Sequence, residues 1–331
     1  MRHFKRRPSI VVWIILLTLF TPKVWGEPNQ RTSTPSKRLV YLVSDLRIPF
    51  WATMARGIQG QGSKSGFQVD ILSAQNDAKT ELKNTIKAIK DQVSGIIVSP
   101  TNSSACVTIL KLAAQAKIPV VISDIGADDG PYVSYISSDN QSGAYGIGKI
   151  LATQLRALKW EKGRVGIIAI PQKRANGKAR TAGFLKAMKE AQIKVGGLKQ
   201  QESFSYEETY LFTTELIMKN PDLRAVWLQG SDRYQGALDA IADKGKTGHI
   251  LLVTFDAEPV FLDLIPKGII KGAAMQQPYL MGEEAVRSLD AFLQGLPVKK
   301  NIQLPILAVS QKNIQQVLPT IQRNVLGLNL N

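Results

Sequence analysis

The sequence predicts an α/β protein in which short, buried strands form parallel sheets, and three observations lead to this fold class. The chain has 331 residues, which fits two compact units of roughly 100–200 residues each. Hydrophobic residues make up 44% and charged residues 21%, which are globular values and exclude a disordered or collagen-like chain. Short runs rich in Val and Ile alternate with longer amphipathic segments almost to the end, which is typical of strand–helix–strand units.

The first 26 residues have the order of a secretory signal, which is basic, then apolar, then small at the exit. The apolar run at 10–20 has about 11 residues, fewer than the roughly 20 that a membrane-spanning helix needs. We therefore expect 1–26 to be a cleaved signal peptide. Because it holds five basic and no acidic residues, its removal lowers the formal net charge from +16 to +11.

A polar stretch follows at 27–37, and we expect it to be a flexible leader because it offers nothing to pack. The lysines beyond it are dispersed rather than collected into one basic block. Dispersed lysines indicate a solvated surface, and export removes the chain from cytosolic nucleic acid. Nucleic acid is therefore not an expected partner.

The regular part of the chain predicts eight strands, each a short apolar run between turn signals or amphipathic segments. They lie at 39–43, 68–72, 95–98, 120–123, 165–169, 225–228, 250–254 and 272–275. The segments between them have helical length and periodicity, and the predicted helices lie at 51–65, 78–90, 104–116, 141–158, 179–191, 207–219, 234–242 and 282–293.

The residues for catalysis or metal binding are sparse. Cys106 is the only cysteine and falls on a predicted helix among apolar residues, so neither a disulfide framework nor a zinc site is expected. His249 is the only histidine beyond the signal, and neither a GxSxG elbow nor a GxxxxGK[ST] loop occurs. We therefore expect that the protein is not an enzyme and that it has no catalytic residue, metal site or cofactor.

Polar or aromatic residues follow several predicted strands. Phe50 and Trp51 come shortly after the first strand, Asp124 follows the fourth, and Asp256 follows the strand at 250–254. Open α/β sheets bind ligands at the carboxyl ends of their strands. Two such sheets facing one another would enclose a cleft with these side chains in it.

Eight segments together resemble ribose-binding-type periplasmic proteins, a family related to the LacI-type repressors. In order and spacing they are SDLRIPFWATMARGI (44–58), GIIVSPTNSSA (95–105), AKIPVVISDI (116–125), YISSDNQSGAYGIG (135–148), ARTAGFLKAM (179–188), NPDLRAVWLQGSD (220–232), VTFDAEP (253–259) and MQQPYLMGEEAV (275–286). The resemblance covers roughly 38–309. The repressors carry an N-terminal DNA-binding module, whereas this chain has an export signal there.

The resemblance implies an α/β fold of two Rossmann-like lobes with parallel sheets, three hinge crossovers and a ligand cleft between the lobes. The crossovers would fall near 139–140, 276–277 and 304–305. The N-terminal lobe would comprise 38–139 plus 277–304, and the C-terminal lobe 140–276 plus 305–331.

The resemblance also implies ligand-binding residues. Phe50, Trp51 and Phe204 match aromatics that stack on a sugar ring, and such rings supply large contact faces at low conformational cost. Asp124, Asp256 and Gln276 match positions that bind sugar hydroxyls, and Ser44 and Ser138 match positions of lesser weight.

Other positions depart from the family pattern. Side chains expected to be asparagine or arginine are replaced by Ile48, Ser99, Ile125, Lys178, Tyr206 and Gly230. Lys178 and Tyr206 are nevertheless predicted to lie at the site, as a candidate ammonium and a fourth aromatic ring. Since a charged hydrogen bond is worth about 1.5–3 kcal/mol, this loss of planar donors argues against ribose itself. Arg180 is expected either to be a site residue or to be a structural partner of a nearby acid, and the structural role is favoured.

The resemblance therefore implies a monomeric periplasmic protein that closes on a small molecule, most simply a sugar or sugar-like ligand, and delivers it to an ABC importer. In an alternative, the protein closes on its ligand in the same way, but the closed form binds the periplasmic domain of a membrane kinase or chemoreceptor and so signals that the ligand is present. In that alternative the ligand could be cationic or more apolar, since aromatic faces and carboxylates attract cations.

Overall fold

The computed structural model describes residues 1, 3 and 37–328. The predicted signal at 1–26 and leader at 27–37 lie almost entirely outside these residues. Among the helices of the described part, none combines the length and apolarity needed to cross a bilayer.

The first sheet has six parallel strands and is covered by helices on both faces. Its strands are β1 (Arg38–Val43), β2 (Gln68–Ser73), β3 (Gly95–Ser99), β4 (Val120–Ser123), β5 (Ser134–Ser138) and β11 (Asn301–Leu304), in the spatial order β11-β5-β4-β3-β1-β2. Its helices are α1 (Pro49–Lys64), α2 (Ala78–Lys90), α3 (Ser103–Gln115) and α9 (Pro278–Leu293). One apolar cluster joins the sheet to α1 and α9, and a second joins it to α2 and α3.

The second sheet repeats this plan. Its strands are β6 (Arg164–Ala169), β7 (Lys194–Gln200), β8 (Leu223–Leu228), β9 (Leu251–Phe255), β10 (Gly272–Met275) and β12 (Leu307–Val309), in the order β12-β10-β9-β8-β6-β7. Only β12 runs antiparallel to its neighbour. Its helices are α4 (Asn140–Ala157), α5 (Ala175–Ala191), α6 (Tyr206–Lys219), α7 (Tyr234–Asp243), α8 (Phe261–Leu264) and α10 (Ile314–Thr320), and a π-helical turn follows at Ile321–Val325.

The chain passes between the sheets three times, and the three passages touch one another. They lie between β5 and α4, between β10 and α9, and between β11 and β12. The backbone N–H of Asp139 donates to the carbonyl of Leu304 at 3.0 Å, and Gln277 Nε2 donates to the carbonyl of Pro305 at 2.8 Å. The predicted fold class, two parallel-sheet lobes joined by three crossovers, is confirmed.

All eight predicted strands are present, and four further strands were not predicted. These are β5, β7, β11 and β12, and three of them lie at sheet edges. An edge strand is half exposed, so it lacks the continuous apolar run of a central strand. The sequence KVGGLKQ of β7 also contains two glycines, which interrupt a strand pattern.

Helix α1 is held against α9 by direct backbone contact, and this contact fixes the helix end that carries two candidate site residues. A Cβ at Gly57 would lie 2.2 Å from the carbonyl oxygen of Tyr279, and one at Gly282 would lie 2.3 Å from that of Met54. Only glycine allows two helices to approach so closely. The first turn of α1, with Phe50 and Trp51, therefore has a fixed position at the carboxyl edge of the first sheet.

Candidate functional site

A cleft lies between the lobes, where the carboxyl ends of strands from both sheets face one another. The first lobe contributes Ile48, Phe50, Trp51 and Asp124. The second lobe and the passage after β10 contribute Ile170, Arg174, Asn176, Arg180, Phe204, Gln229, Gly230, Asp232, Arg233, Asp256 and Gln276. This is the position at which open α/β sheets bind ligands.

The aromatic residues of the cleft come from both lobes. Pro49 occupies the first turn of α1, where its missing N–H costs nothing, and it is followed directly by Phe50 and Trp51. Their rings meet edge to face with centroids 6.3 Å apart, and Trp51 is only 3% exposed. Phe204 enters from the loop before α6 with a left-handed φ of +54°. The structure thus brings all three predicted stacking aromatics to the cleft.

Asp124 follows β4 and is 3% exposed. Its left-handed backbone, at φ +66°, turns the chain so that its N–H donates to the carbonyl of Ile136 at 3.0 Å. Oδ2 accepts from Trp51 Nε1 at 3.1 Å, and Oδ1 accepts from Asn176 Nδ2 of the other lobe at 3.4 Å. Burial raises the pKa of Asp124 to about 6, against the opposing attraction of Arg180.

Asp256 repeats this geometry in the second lobe. It follows β9, has the same φ of +66°, and its N–H donates to the carbonyl of Ala274 at 2.8 Å. Its Oδ1 accepts from Gln276 Nε2 at 2.7 Å, and its Oδ2 lies 3.6 Å from Arg180 Nη1. Burial raises the pKa of Asp256 above its ordinary value. The two lobes therefore each place one carboxylate at the same point of the sheet.

Three buried arginines line the cleft: Arg180, for which the sequence favoured a structural role, and Arg174 and Arg233, which were not predicted to lie there. Arg180 donates from Nε to Asn140 Oδ1 at 2.8 Å and from Nη1 to the carbonyl of Gln229 at 3.1 Å, besides its pairing with Asp256. It is thus both a structural partner, as expected, and a residue of the cleft. Arg174 and Arg233 stand immediately before α5 and α7. Both lie after a strand's carboxyl end, so a search of strand ends for basic as well as acidic residues would have found them.

The structure does not bring Lys178 or Tyr206 to the cleft. Lys178 is exposed and lies two residues before Arg180 on α5, which is about 200° around a helix of 3.6 residues per turn. Its ammonium therefore points away from the side of α5 that faces the cleft. Tyr206 is 42% exposed, donates its hydroxyl to Asp239 at 2.8 Å and stacks on Tyr210.

Ser44 and Ser138 are buried at the carboxyl ends of β1 and β5 but do not line the cleft. Neither hydroxyl has a hydrogen-bond partner within 37–328. The carbonyl of Ser138 accepts from Asn140 Nδ2 at 3.0 Å, and Asn140 in turn holds Arg180. Ser138 therefore acts on the cleft through its backbone.

The planar donors that the sequence analysis found missing are supplied from other positions. Arg174, Arg180 and Arg233 provide guanidinium groups, and Asn176 and Gln229 provide amides. The expectation of a donor-poor site is therefore wrong. One cause is the segment at 174–180, where the family resemblance places Lys178 at the site and the structure places Arg174 and Arg180 there. The other is that Gln229 and Arg233, which follow β8, were not among the predicted site residues.

Direct contacts join the lobes across the cleft. Besides the bond from Asn176 to Asp124, Arg174 Nη2 donates to Asn76 Oδ1 of the first lobe at 3.0 Å. The guanidinium of Arg174 also lies 5.7 Å from the ring centroid of Trp51. The lobes are thus closed against each other.

The raised pKa of Asp124 predicts a pH effect on stability. Because the pKa rises from an ordinary 3.8 in the unfolded chain to about 6 in the fold, the folded protein binds this proton more tightly. Acidification from pH 7 to about 4 should therefore stabilise the wild type relative to Asp124→Asn, which cannot titrate. Urea unfolding of both proteins across this range measures the difference. A difference that is flat, or that grows in the opposite direction, would contradict the assigned environment.

Comparison with known proteins identifies relatives over most of the chain. A family model described as periplasmic binding protein domain matches residues 39–297. The ribose import binding protein of Bacillus subtilis (strain 168) is 28% identical over 315 residues, covering 93% of this chain and 100% of that protein. The D-allose-binding periplasmic protein of Escherichia coli (strain K12) is 26% identical over 273 residues, covering 78% of this chain and 86% of the relative.

Among solved structures, a carbohydrate transporter solute binding protein from Agrobacterium radiobacter in complex with D-arabinose superposes with a TM-score of 0.80. It is 25% identical, and the match covers 88% of this chain and 100% of the other. The myo-inositol binding protein of Caulobacter, bound to myo-inositol, superposes with a TM-score of 0.76 at 21% identity, covering 85% of this chain and 95% of that one. The second likeness concerns the fold alone.

Proposed function

This chain belongs to the periplasmic binding protein family, and from that premise we propose that it is a solute-binding protein for a sugar or sugar-like molecule. The lobes close on one such molecule, and the closed form delivers it to an ABC importer. Relatives named for ribose, for allose and for a carbohydrate transporter support this class of ligand. The lobe boundaries predicted from the sequence, 38–139 with 277–304 and 140–276 with 305–331, are part of the proposal.

The cleft carries the proposal, because it combines aromatic faces with converging charged acceptors and donors. Asp124 and Asp256 offer carboxylate oxygens, Arg180 pairs with Asp256, and Trp51 and Phe204 offer apolar surfaces from opposite lobes. A sugar presents the matching features, since its hydroxyls both donate and accept while its C–H faces are apolar. Pockets of this kind fix a ligand by a few placed polar groups within a largely apolar wall.

The hydrogen bonds of the two carboxylates support a role in binding. Asp124 accepts hydrogen bonds from Trp51 and Asn176. Asp256 accepts a hydrogen bond from Gln276 and pairs with Arg180. Such carboxylates are oriented as acceptors. We accordingly propose a binding protein without catalytic residues, active as a monomer and requiring no cofactor.

We also propose that the protein is exported to the periplasm. The family membership and the signal-like order of 1–26 support a periplasmic location after cleavage of that segment. In the alternative, the closed form binds the periplasmic domain of a sensor protein instead of an importer. The name of the transporter relative supports import. Three buried guanidinium groups line the same cleft as three carboxylates, so the cleft has no excess of acidic groups to favour the cationic ligand of the alternative.

Calorimetric titration with pentoses, hexoses, polyols, sugar acids, sugar phosphates and methylated amines tests the proposal. We expect one sugar-like compound to bind with micromolar or better affinity and one molecule per chain, with a change in tryptophan emission through Trp51. Binding of a methylated amine instead, or no binding by any compound of the panel, would contradict it.

A further inference from the structure

Arg174 is a buried arginine with few partners. It is 4% exposed and stands immediately before α5 at the cleft. A guanidinium has five N–H donors. Within 37–328 its only side-chain hydrogen bond is the one from Nη2 to Asn76, and its Nε is buried without a partner.

The other two arginines of the cleft are paired, whereas Arg174 is not. Arg180 pairs with Asp256 and Arg233 with Asp232. No carboxylate in the described part of the chain lies within ion-pair distance of Arg174. Desolvation lowers the pKa of Arg174 to about 10, and the charges of Arg180 and Arg233 act in the same direction. Asp124 and Glu81 oppose this, and their own pKa values are raised to about 6 and about 7. The charge of Arg174 also helps to lower the pKa of Asp45, but Asp45 is paired with Arg47.

A second unmet donor lies beside the same aromatic ring. The Nε of Arg233 is also buried without a partner in the described residues. The guanidinium of Arg174 lies 5.4 Å from the ring centroid of Phe204, and that of Arg233 lies 5.1 Å from it. Two guanidinium groups that each have an N–H without a hydrogen-bond partner in the described residues therefore lie close to the ring of Phe204.

The same cleft also has free acceptor capacity. Gln276 Oε1 is buried without a partner in 37–328, and Gln276 Nε2 binds Asp256. Asp124 and Asp256 supply carboxylates, and Arg180 pairs with Asp256. A bound molecule therefore meets both acceptors for its hydroxyls and cationic donors.

We propose that the ligand is a sugar bearing an acidic group, a carboxylate or a phosphate, and that Arg174 and Arg233 bind that group beside Phe204. Asp124, Asp256 and Gln276 then bind the hydroxyls. A guanidinium matches both anions because its planar fork can make two parallel hydrogen bonds. The inference rests on the proposed function, and it specifies the ligand class within it.

Pairs of sugars that differ only in the acidic group provide the test. Glucose with glucuronate and galactose with galacturonate form the carboxylate arm, and glucose with glucose 6-phosphate forms the phosphate arm. By calorimetry we expect the acidic member of one arm to bind about 10- to 100-fold more tightly than its neutral parent, as one or two charged hydrogen bonds imply.

Variants then assign this preference to Arg174. Arg174→Met keeps the apolar stem and should reduce the acid-over-neutral ratio to near one. Lys178→Met is the matched control, since it removes the same charge one turn further along α5 from an exposed position, and it should leave the ratio unchanged. Thermal unfolding of each variant verifies that it is folded, and Arg233→Met provides a second test if Arg174→Met does not fold.

Asn76→Ala separates ligand binding from a role in holding the lobes together. If Arg174 served only through its bond to Asn76, Arg174→Met and Asn76→Ala would each weaken acidic and neutral sugars by one common factor, and the inference would be overturned. Neutral sugars that bind as tightly as their acids would also overturn it while leaving the proposed function intact. Absence of binding by every sugar would instead refute the proposed function.

Discussion

Asp124→Ala is expected to weaken sugar binding by about 100-fold or more. The carboxylate is buried at the centre of the cleft, where Trp51 and Asn176 orient it from opposite lobes. Its removal takes away a charged acceptor and leaves the indole N–H without its partner. Truncating one member of a buried, charged hydrogen bond costs about 2–5 kcal/mol, and each 1.4 kcal/mol is about tenfold in affinity. Calorimetric titration with the tightest-binding sugar measures the loss.

Two controls accompany this variant. Asp129→Ala removes an exposed acid from the loop that follows Asp124 and should bind like the wild type. Asp124→Asn keeps the shape and one acceptor oxygen, so its affinity should fall between the two. A wild-type affinity in Asp124→Ala would show that the ligand does not contact this carboxylate.

Arg180→Met is expected to lower the free energy of unfolding by about 3–5 kcal/mol at pH 8, the usual cost of stranding a buried charge. Arg180 pairs with Asp256, and its charge also acts on Asp124. It further donates to Asn140 and to the carbonyl of Gln229. Without it, two buried carboxylates lose their shared cation. Urea denaturation measures the effect.

A double variant tests the cause. Arg180→Met with Asp256→Asn removes one stranded charge and should recover part of the lost stability. Lys178→Met, two residues earlier on α5 and exposed, should unfold like the wild type. If the double variant were no more stable than Arg180→Met, the ion pair would not be the source of the loss.

The central strands could be predicted because both faces of each are buried, so their sequences are nearly continuous apolar runs. The edge strands could not, since a strand such as β7 is half exposed and contains two glycines. Asp124 and Asp256 could be located because an acid directly after a strand stands out in the sequence, and the family resemblance marked the same positions.

The arginines were harder to place from sequence because their positions depend on where α5 begins. The structure starts this helix at Ala175, whereas the predicted start was at 179. Which residue of 174–180 faces the cleft depends on helical phase, and a shift of two residues moves a side chain about 200° around the axis. Arg180 therefore lines the cleft besides pairing with Asp256, and Lys178 is exposed on another side of the helix. Arg174 lies before the first residue of α5, so the helical periodicity of α5 does not predict where its side chain points.

The central claim is that the two lobes close on one solute, and a distance measured across the cleft tests it most directly. Cys106 is the only cysteine and is fully buried, so probes on Lys79→Cys and Glu207→Cys would label the exposed first turns of α2 and α6 on opposite lobes. With the tightest-binding sugar, at a concentration just sufficient to saturate the wild type, we expect the spin–spin distance distribution to become shorter and narrower. Adding Asp124→Ala to the same protein should reduce this change at the same sugar concentration. A distribution that is identical with and without saturating sugar would contradict closure.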